Sequence, residues 1–204
     1  MNNITSNSGH GIYFDEVTDG SLLTISENEI TENSENGIYI EEINGASTVN
    51  ITDNSAISQN GGNGIRIDDT YNSTVLMDGN LIDGNDDAGI FVGDAEEGIE
   101  EVGVSTVTVT NNMITDNGEE TETTGIHINW VDAGTDVTVN FNSITGNGFG
   151  LLVDEVEGEN VDATNNWWGH TTGPLNLNEE SGNPDGEGDE VSDNVDFNPW
   201  LATF

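Results

Sequence analysis

The chain has 204 residues, of which 40 are Asp or Glu and only one is basic, giving a net charge of −39. That balance excludes DNA, RNA and membrane insertion or anionic lipid as partners, because binding phosphate requires Lys and Arg and no apolar run approaches the roughly 18 residues of a span. Without cysteine there is no disulfide framework and no thiolate metal site.

High charge with modest hydrophobicity fits either a disordered chain or a folded one adapted to molar salt, and the order of the apolar residues favours folding. The first residues, Met1-Asn2-Asn3-Ile4, carry neither a basic nor an apolar leader. Asn2 already belongs to the repeat described next, so the chain opens partway through a unit. We therefore expect a longer parent protein that carries its own targeting signal.

The repeat reads Ile-x-x-Asn, a short gap, then Gly-aliphatic-x-aliphatic. Its copies start at Ile4, Ile30, Ile57, Ile82, Ile114 and Ile144, with glycines at 11, 37, 64, 89, 125 and 150, about every 25 residues apart from one stretched interval. An alternating strand precedes most copies, as in Leu23-x-Ile25, Val49-x-Ile51, Val75-x-Met77, Val107-x-Val109 and Val137-x-Val139, and Val161-x-Ala163 begins a further one. Period-two alternation predicts strands with one buried face. A single winding cannot bury that face, whereas stacked windings share one Ile/Val interior, with equivalent strands paired in parallel.

The spacing therefore predicts an all-β parallel β-helix, or solenoid, of about seven coils, right-handed by the crossover rule. Residues 1–164 form the coils, and residues 165–204 form a C-terminal coil and capping segment of the same domain. Two asparagine rows, 2-28-54-80-112-142-166 and 7-33-60-85-117-147, are placed at the corners, with each amide bonded to its stacked neighbours and Asn in left-handed backbone. The recurrent glycine is expected to permit the turn into the next strand.

In the Gly-aliphatic-x-aliphatic strand the x residue points outward. Stacking gives one row of Tyr13, Tyr39, Arg66, Phe91, His127 and Leu152, beside an acidic row that includes Asp15, Glu41, Asp68 and Asp154. Rings stack on sugars and carboxylates bond hydroxyls, so this face is the candidate carbohydrate-binding surface. Cross-strand packing accounts for the same residues equally simply.

The stretched interval contains two acidic insertions, 93–103 and 118–124, where a groove or cation site is expected if there is one. Further on, Asn183, Asp185, Glu187 and Asp189 alternate with Pro184, Gly186 and Gly188. They form a candidate calcium loop that lacks the distal bidentate glutamate of an EF-hand. Of the three histidines, His10, His127 and His170, the first two lie four coils apart, too far to share a metal. Asn3, Asn50 and Asn72 lie in N-glycosylation sequons. An open coil end would expose apolar interior and strand edges, and Trp167, Trp168, Pro174, Phe197 and Trp200 are the residues expected to plug it.

The copies from Ile4 to Val153 resemble the parallel β-helix repeats of the pectate-lyase-like superfamily. The tail from Asn165-Asn166-Trp167-Trp168-Gly169 resembles the closing segment of β-helix domains in secreted archaeal and bacterial proteins. The resemblance implies a fold and leaves activity open. Polyuronate lyases of this fold rely on Lys or Arg, of which this chain has Arg66 alone.

The expected function is an extracellular or cell-surface structural or adhesive module of a halophile, binding polysaccharide or surface glycan and joined to neighbouring domains. The alternative is a carbohydrate-active hydrolase with its site near the insertions and catalytic residues unknown. No cofactor is required; calcium or other cations on the acidic loops are the candidates.

Overall fold

The computed structural model describes residues 1–93, 104–118, 124–178 and 182–204. Three parallel sheets run along one axis. The six-stranded sheet takes Asn3–Thr5 and its equivalents to Ser143–Thr145. The eight-stranded sheet begins at Ile12–Val17, and the seven-stranded sheet at Leu22–Ser26. The chain visits them in turn, so each strand pairs with its equivalent in the next winding. This is an all-β parallel solenoid.

The windings keep register along the axis. Ile12, Ile38, Ile65, Ile90, Ile126 and Leu151 align in one sheet. Val49, Val75, Val107 and Val137 align in another. Nearly all of these residues are buried in a single core from Val17 to Phe197.

The number of complete coils is six rather than about seven. Among the described residues after Asn166 no strand extends the first sheet; a lone bridge from Trp167 to Ser143 stands in its place. Trp168 is fully buried here (0% exposed), and so large an inward ring occupies the space another aliphatic strand would fill. The tail then adds strands to the other two sheets only. Gly188–Val191 pairs with Phe149–Val156, Pro174–Leu175 lies outside it, and Val195–Asp196 pairs with Val161–Asp162.

Both asparagine rows are continuous ladders. In the first, Asn54 donates from Nδ2 to Oδ1 of Asn80 at 2.8 Å, and Asn80 to Asn112 at 2.9 Å. In the second, Asn60 donates to Asn85 at 2.8 Å and Asn85 to Asn117 at 3.0 Å. Each acceptor oxygen also takes the backbone N–H of the preceding coil's asparagine. The second amide hydrogen goes to a backbone carbonyl, as from Asn85 to Ile57. These buried amides thus meet the rule that interior polar groups are paired.

Two details differ from the sequence reading. The left-handed residue is the one before each ladder asparagine, with φ from 50° at Asp116 to 79° at Gly146. The asparagine side chain supplies the cross-coil bonds while its predecessor makes the corner. The glycines at 11, 37, 64, 89 and 125 have no positive φ; they are needed for space. A Cβ on Gly64 would lie 2.6 Å from the Gly89 carbonyl oxygen and 2.8 Å from both Asn85 Nδ2 and Ile82 Cγ2.

Candidate functional site

The outward face of the eight-stranded sheet carries the predicted row. Tyr13 aligns with Tyr39, Tyr39 with Arg66, Arg66 with Phe91, Phe91 with His127 and His127 with Leu152. Period-two alternation turns their neighbours inward, which leaves this row outside.

The row is a chain of contacts. Tyr13 and Tyr39 have ring centroids 5.4 Å apart, and Phe91 and His127 meet edge to face at 5.2 Å. The Arg66 guanidinium lies 4.6 Å from the Phe91 centroid and 5.7 Å from that of Tyr39. One face of Phe91 is therefore covered by the only basic side chain in the sequence. The row's rings are largely turned toward one another, the arrangement that cross-strand packing favours.

The acidic row holds these groups in place. Tyr13 donates to Glu41 at 2.8 Å and Tyr39 to Asp68 at 2.6 Å. The hydrogen bond to Glu41, some desolvation and the charges of Glu41 and Asp15 push the Tyr13 phenol up to about 12. Burial, then the bond to Asp68, raises Tyr39 as well. Both phenols therefore remain donors at any physiological pH. Arg66 Nε sits 2.6 Å from Asp68 Oδ1, an ion pair bent off the line of a hydrogen bond. His127 Nε2 lies 2.9 Å from Asp154.

A third, shorter ladder had no signature in the repeat. His10 Nδ1 accepts the backbone N–H of Asn36, whose Oδ1 accepts both the N–H and Nδ2–H of Asn63. With Nδ1 accepting, the Nε2 of His10 is left to face Glu35 at 2.9 Å. The residue before the repeat glycine is polar in the first three copies, His10, Asn36 and Asn63, and then gives way to Ala88, so no period marks this ladder.

Beyond Asn63 this line opens into a cavity of about 720 Å³. Its walls include Arg66, Phe91, His127 and Phe149, with Asn63, Asp86 and Asp87 as polar groups. Four residues of the predicted face, Arg66, Phe91, His127 and Leu152, line it, whereas Tyr39, Asp15, Glu41 and Asp68 line a smaller acidic recess of about 480 Å³. Sequence reasoning missed Asp86, Asp87 and Phe149, which precede the repeat glycines and lie off the outward row.

The remaining predicted residues have separate positions. Asn183 donates to the carbonyls of Thr172 and Pro174, Glu187 faces His170 at 3.1 Å, and Asp185 is exposed. Asp189 turns to the second asparagine ladder. The four candidate calcium ligands thus point to different partners, and among the described residues no three His, Asp or Glu side chains converge as a metal group. Pro174 and Phe197 are buried with Trp168, Trp200 packs against the core, and Trp167 is half-buried. Most of the two acidic insertions, 94–103 and 119–123, lies outside the described residues.

The sequence profile described as "Right handed beta helix region" matches residues 1–167. The chain belongs to the right-handed β-helix family. No curated protein and no solved structure matches it significantly. Family membership accounts for the right-handed β-helix windings and their parallel sheets; the Arg66–Phe91–His127 cavity is a feature of this chain's outward residues.

Proposed function

We propose that this right-handed β-helix is an extracellular structural or adhesive module from a brine-dwelling organism, and that it holds a saccharide in the cavity beside Arg66, Phe91 and His127. The observation that carries the reading is the cavity itself. Its volume is about 720 Å³, within the roughly 300–1,000 Å³ of small-ligand sites. Phe91, Phe149 and Leu152 offer apolar surface for the C–H faces of a sugar, while Asn63, Asp86 and Asp87 offer partners for its hydroxyls. Phe91 and Thr124 also lie in sequence where the two insertions leave and rejoin the coil, and such loops are where scaffolds commonly place binding groups. The acidic surface supports a brine habitat, and the sequons are consistent with export.

Calorimetric titration with a panel of neutral oligosaccharides in molar salt tests the reading. Phe91→Ala should weaken binding about tenfold, the loss of one well-packed aromatic contact, while Ser58→Ala on the six-stranded sheet should not. Absence of binding across the panel, or equal binding by Phe91→Ala, would overturn it. Release of reducing ends from the same panel would favour the hydrolase alternative, with Asp86 and Asp87 as its first candidate acids.

A further inference from the structure

The outer face of the seven-stranded sheet contrasts with that of the eight-stranded sheet beside it. From Leu22–Ser26 to Asp136–Asn140, five successive windings keep five-residue strands in unbroken register. Their outward positions fall into three parallel rows. Thr48, Thr74 and Thr106 align in one, Thr108 and Thr138 in the next, and Thr52 lies in the third. More than half of the outward positions are Thr or Ser, and the only acids among them are Asp78 and Asp136. The neighbouring sheet, by contrast, stacks Glu16 on Glu42 and Glu42 on Asp69. On a chain of net charge −39 this is a nearly neutral, hydroxyl-covered plane. Among the described residues these six threonine hydroxyls donate to no protein acceptor, so they are open to a partner.

We infer that this face is a docking surface for a solid, uncharged polysaccharide, independent of the cavity on the adjacent sheet. The lattice spacing is about 4.8 Å between coils and about 6.7 Å along each strand between residues that share a face. Hydroxyls on so regular a grid suit a partner that repeats as regularly and presents its own hydroxyls without charge. Nothing on the plane favours an anion, since it carries no basic residue, and little on it favours a polycation, since across the five strands Asp78 and Asp136 are its only acids. A second copy of the chain fits less well. Five strands of five residues span about 24 by 16 Å, so a face-to-face pair would bury roughly 800 Å² in total. That is the range of lattice contacts and short of the about 1,200 Å² of a stable interface, with two strongly negative bodies to bring together.

The test is depletion of the protein from solution by suspended microcrystalline cellulose and by chitin, in molar sodium chloride. The wild-type chain should be retained by at least one of the two solids. Thr74→Glu and Thr108→Glu each place a carboxylate against the uncharged surface and should weaken retention about tenfold. Their melting temperatures serve as the check on folding, and Thr108→Ser should retain binding. Phe91→Ala should be retained like the wild type, because it leaves this sheet untouched. Failure of both solids to deplete the wild type, or retention that Phe91→Ala abolishes and the glutamate variants do not, would overturn the inference. Concentration-dependent doubling of mass in light scattering, abolished by Thr108→Glu, would assign the face to self-association instead.

Discussion

Asp189 occupies the place in the second asparagine ladder where the next asparagine would stand. Its Oδ2 accepts the backbone N–H of Asn147 at 2.8 Å and the Nδ2–H at 3.0 Å, while Oδ1 takes the Gly146 N–H at 3.1 Å. The ladder, amide to amide through five coil steps, therefore ends on a carboxylate contributed by the tail. Burial pushes this carboxyl up to about 6 against the pull of the Asn147 and Gly146 hydrogen bonds, with Asp116 adding repulsion.

That shift gives the fold a pH dependence of definite sign. The folded carboxyl titrates near 6 and the unfolded one near 3.9. Between those values the folded state holds a proton that the unfolded state lacks. The associated stability is present below about pH 4 and lost as pH rises through 6, on the order of 3 kcal/mol. Asp189→Asn removes the charge but leaves the Gly146 N–H with a poorer partner, at about 1 kcal/mol. The variant should melt below the wild type at pH 4 and above it at pH 8, as read by calorimetry at fixed high salt.

Position along the ladder should set the cost of breaking it. Asn85 is 2% exposed, accepts two hydrogen bonds from Asn60, and donates to Asn117 and Ile57. Asn85→Ala strands several buried groups and should cost about 3–5 kcal/mol. Asn7, exposed in the first coil, donates only to Asn33; Asn7→Ala should cost about 1 kcal/mol. Urea midpoints that do not separate the two variants would contradict this account of the ladder.

Two glycines separate the demands of space and dihedral angle. Gly64 has ordinary φ but no room, whereas Gly20 has φ of +70° and nothing within 4 Å of the place an added methyl would take. Gly64→Ala should force adjacent coils apart and cost about 3 kcal/mol or more. Gly20→Ala should cost about 1 kcal/mol, the strain of left-handed backbone alone. Thermal unfolding of the two variants measures the difference directly.

Salt dependence should concentrate in stacked acids. Glu42 lies in register between Glu16 and Asp69. At about 4.8 Å each pair of charges repels by roughly 0.9 kcal/mol in water, and a Debye length of about 3 Å at 1 M salt reduces this about fivefold. Glu42→Gln should raise stability by about 1 kcal/mol in dilute buffer and by little in molar salt. The wild type should lose β-structure, followed by circular dichroism, as salt is withdrawn.

The winding, the inward residues and the alignment of Tyr13, Tyr39, Arg66, Phe91 and His127 were legible because each is periodic. Alternation fixes which side chains turn in, and asparagine spacing fixes the register, so one repeat predicts the next. The cavity was only half legible. Arg66, Phe91 and His127 belong to the row, but Asp86 and Asp87 come from the corner before it, where chain spacing varies between copies, and Phe149 opens its strand ahead of the repeat glycine.

The amino-acid order by itself determined the solenoid, its core and its two ladders, through local signals repeated often enough to be unambiguous. How the repetition is closed off was settled by packing in the folded chain. Trp168 closes the interior, Gly188–Val191 inserts between Phe149–Val156 and Pro174–Leu175, and Asp189 reaches Asn147 across a separation of 42 residues. These contacts occur once, between segments without a second copy, so their partners are selected by shape and hydrogen bonding in the folded molecule rather than by any period in the chain.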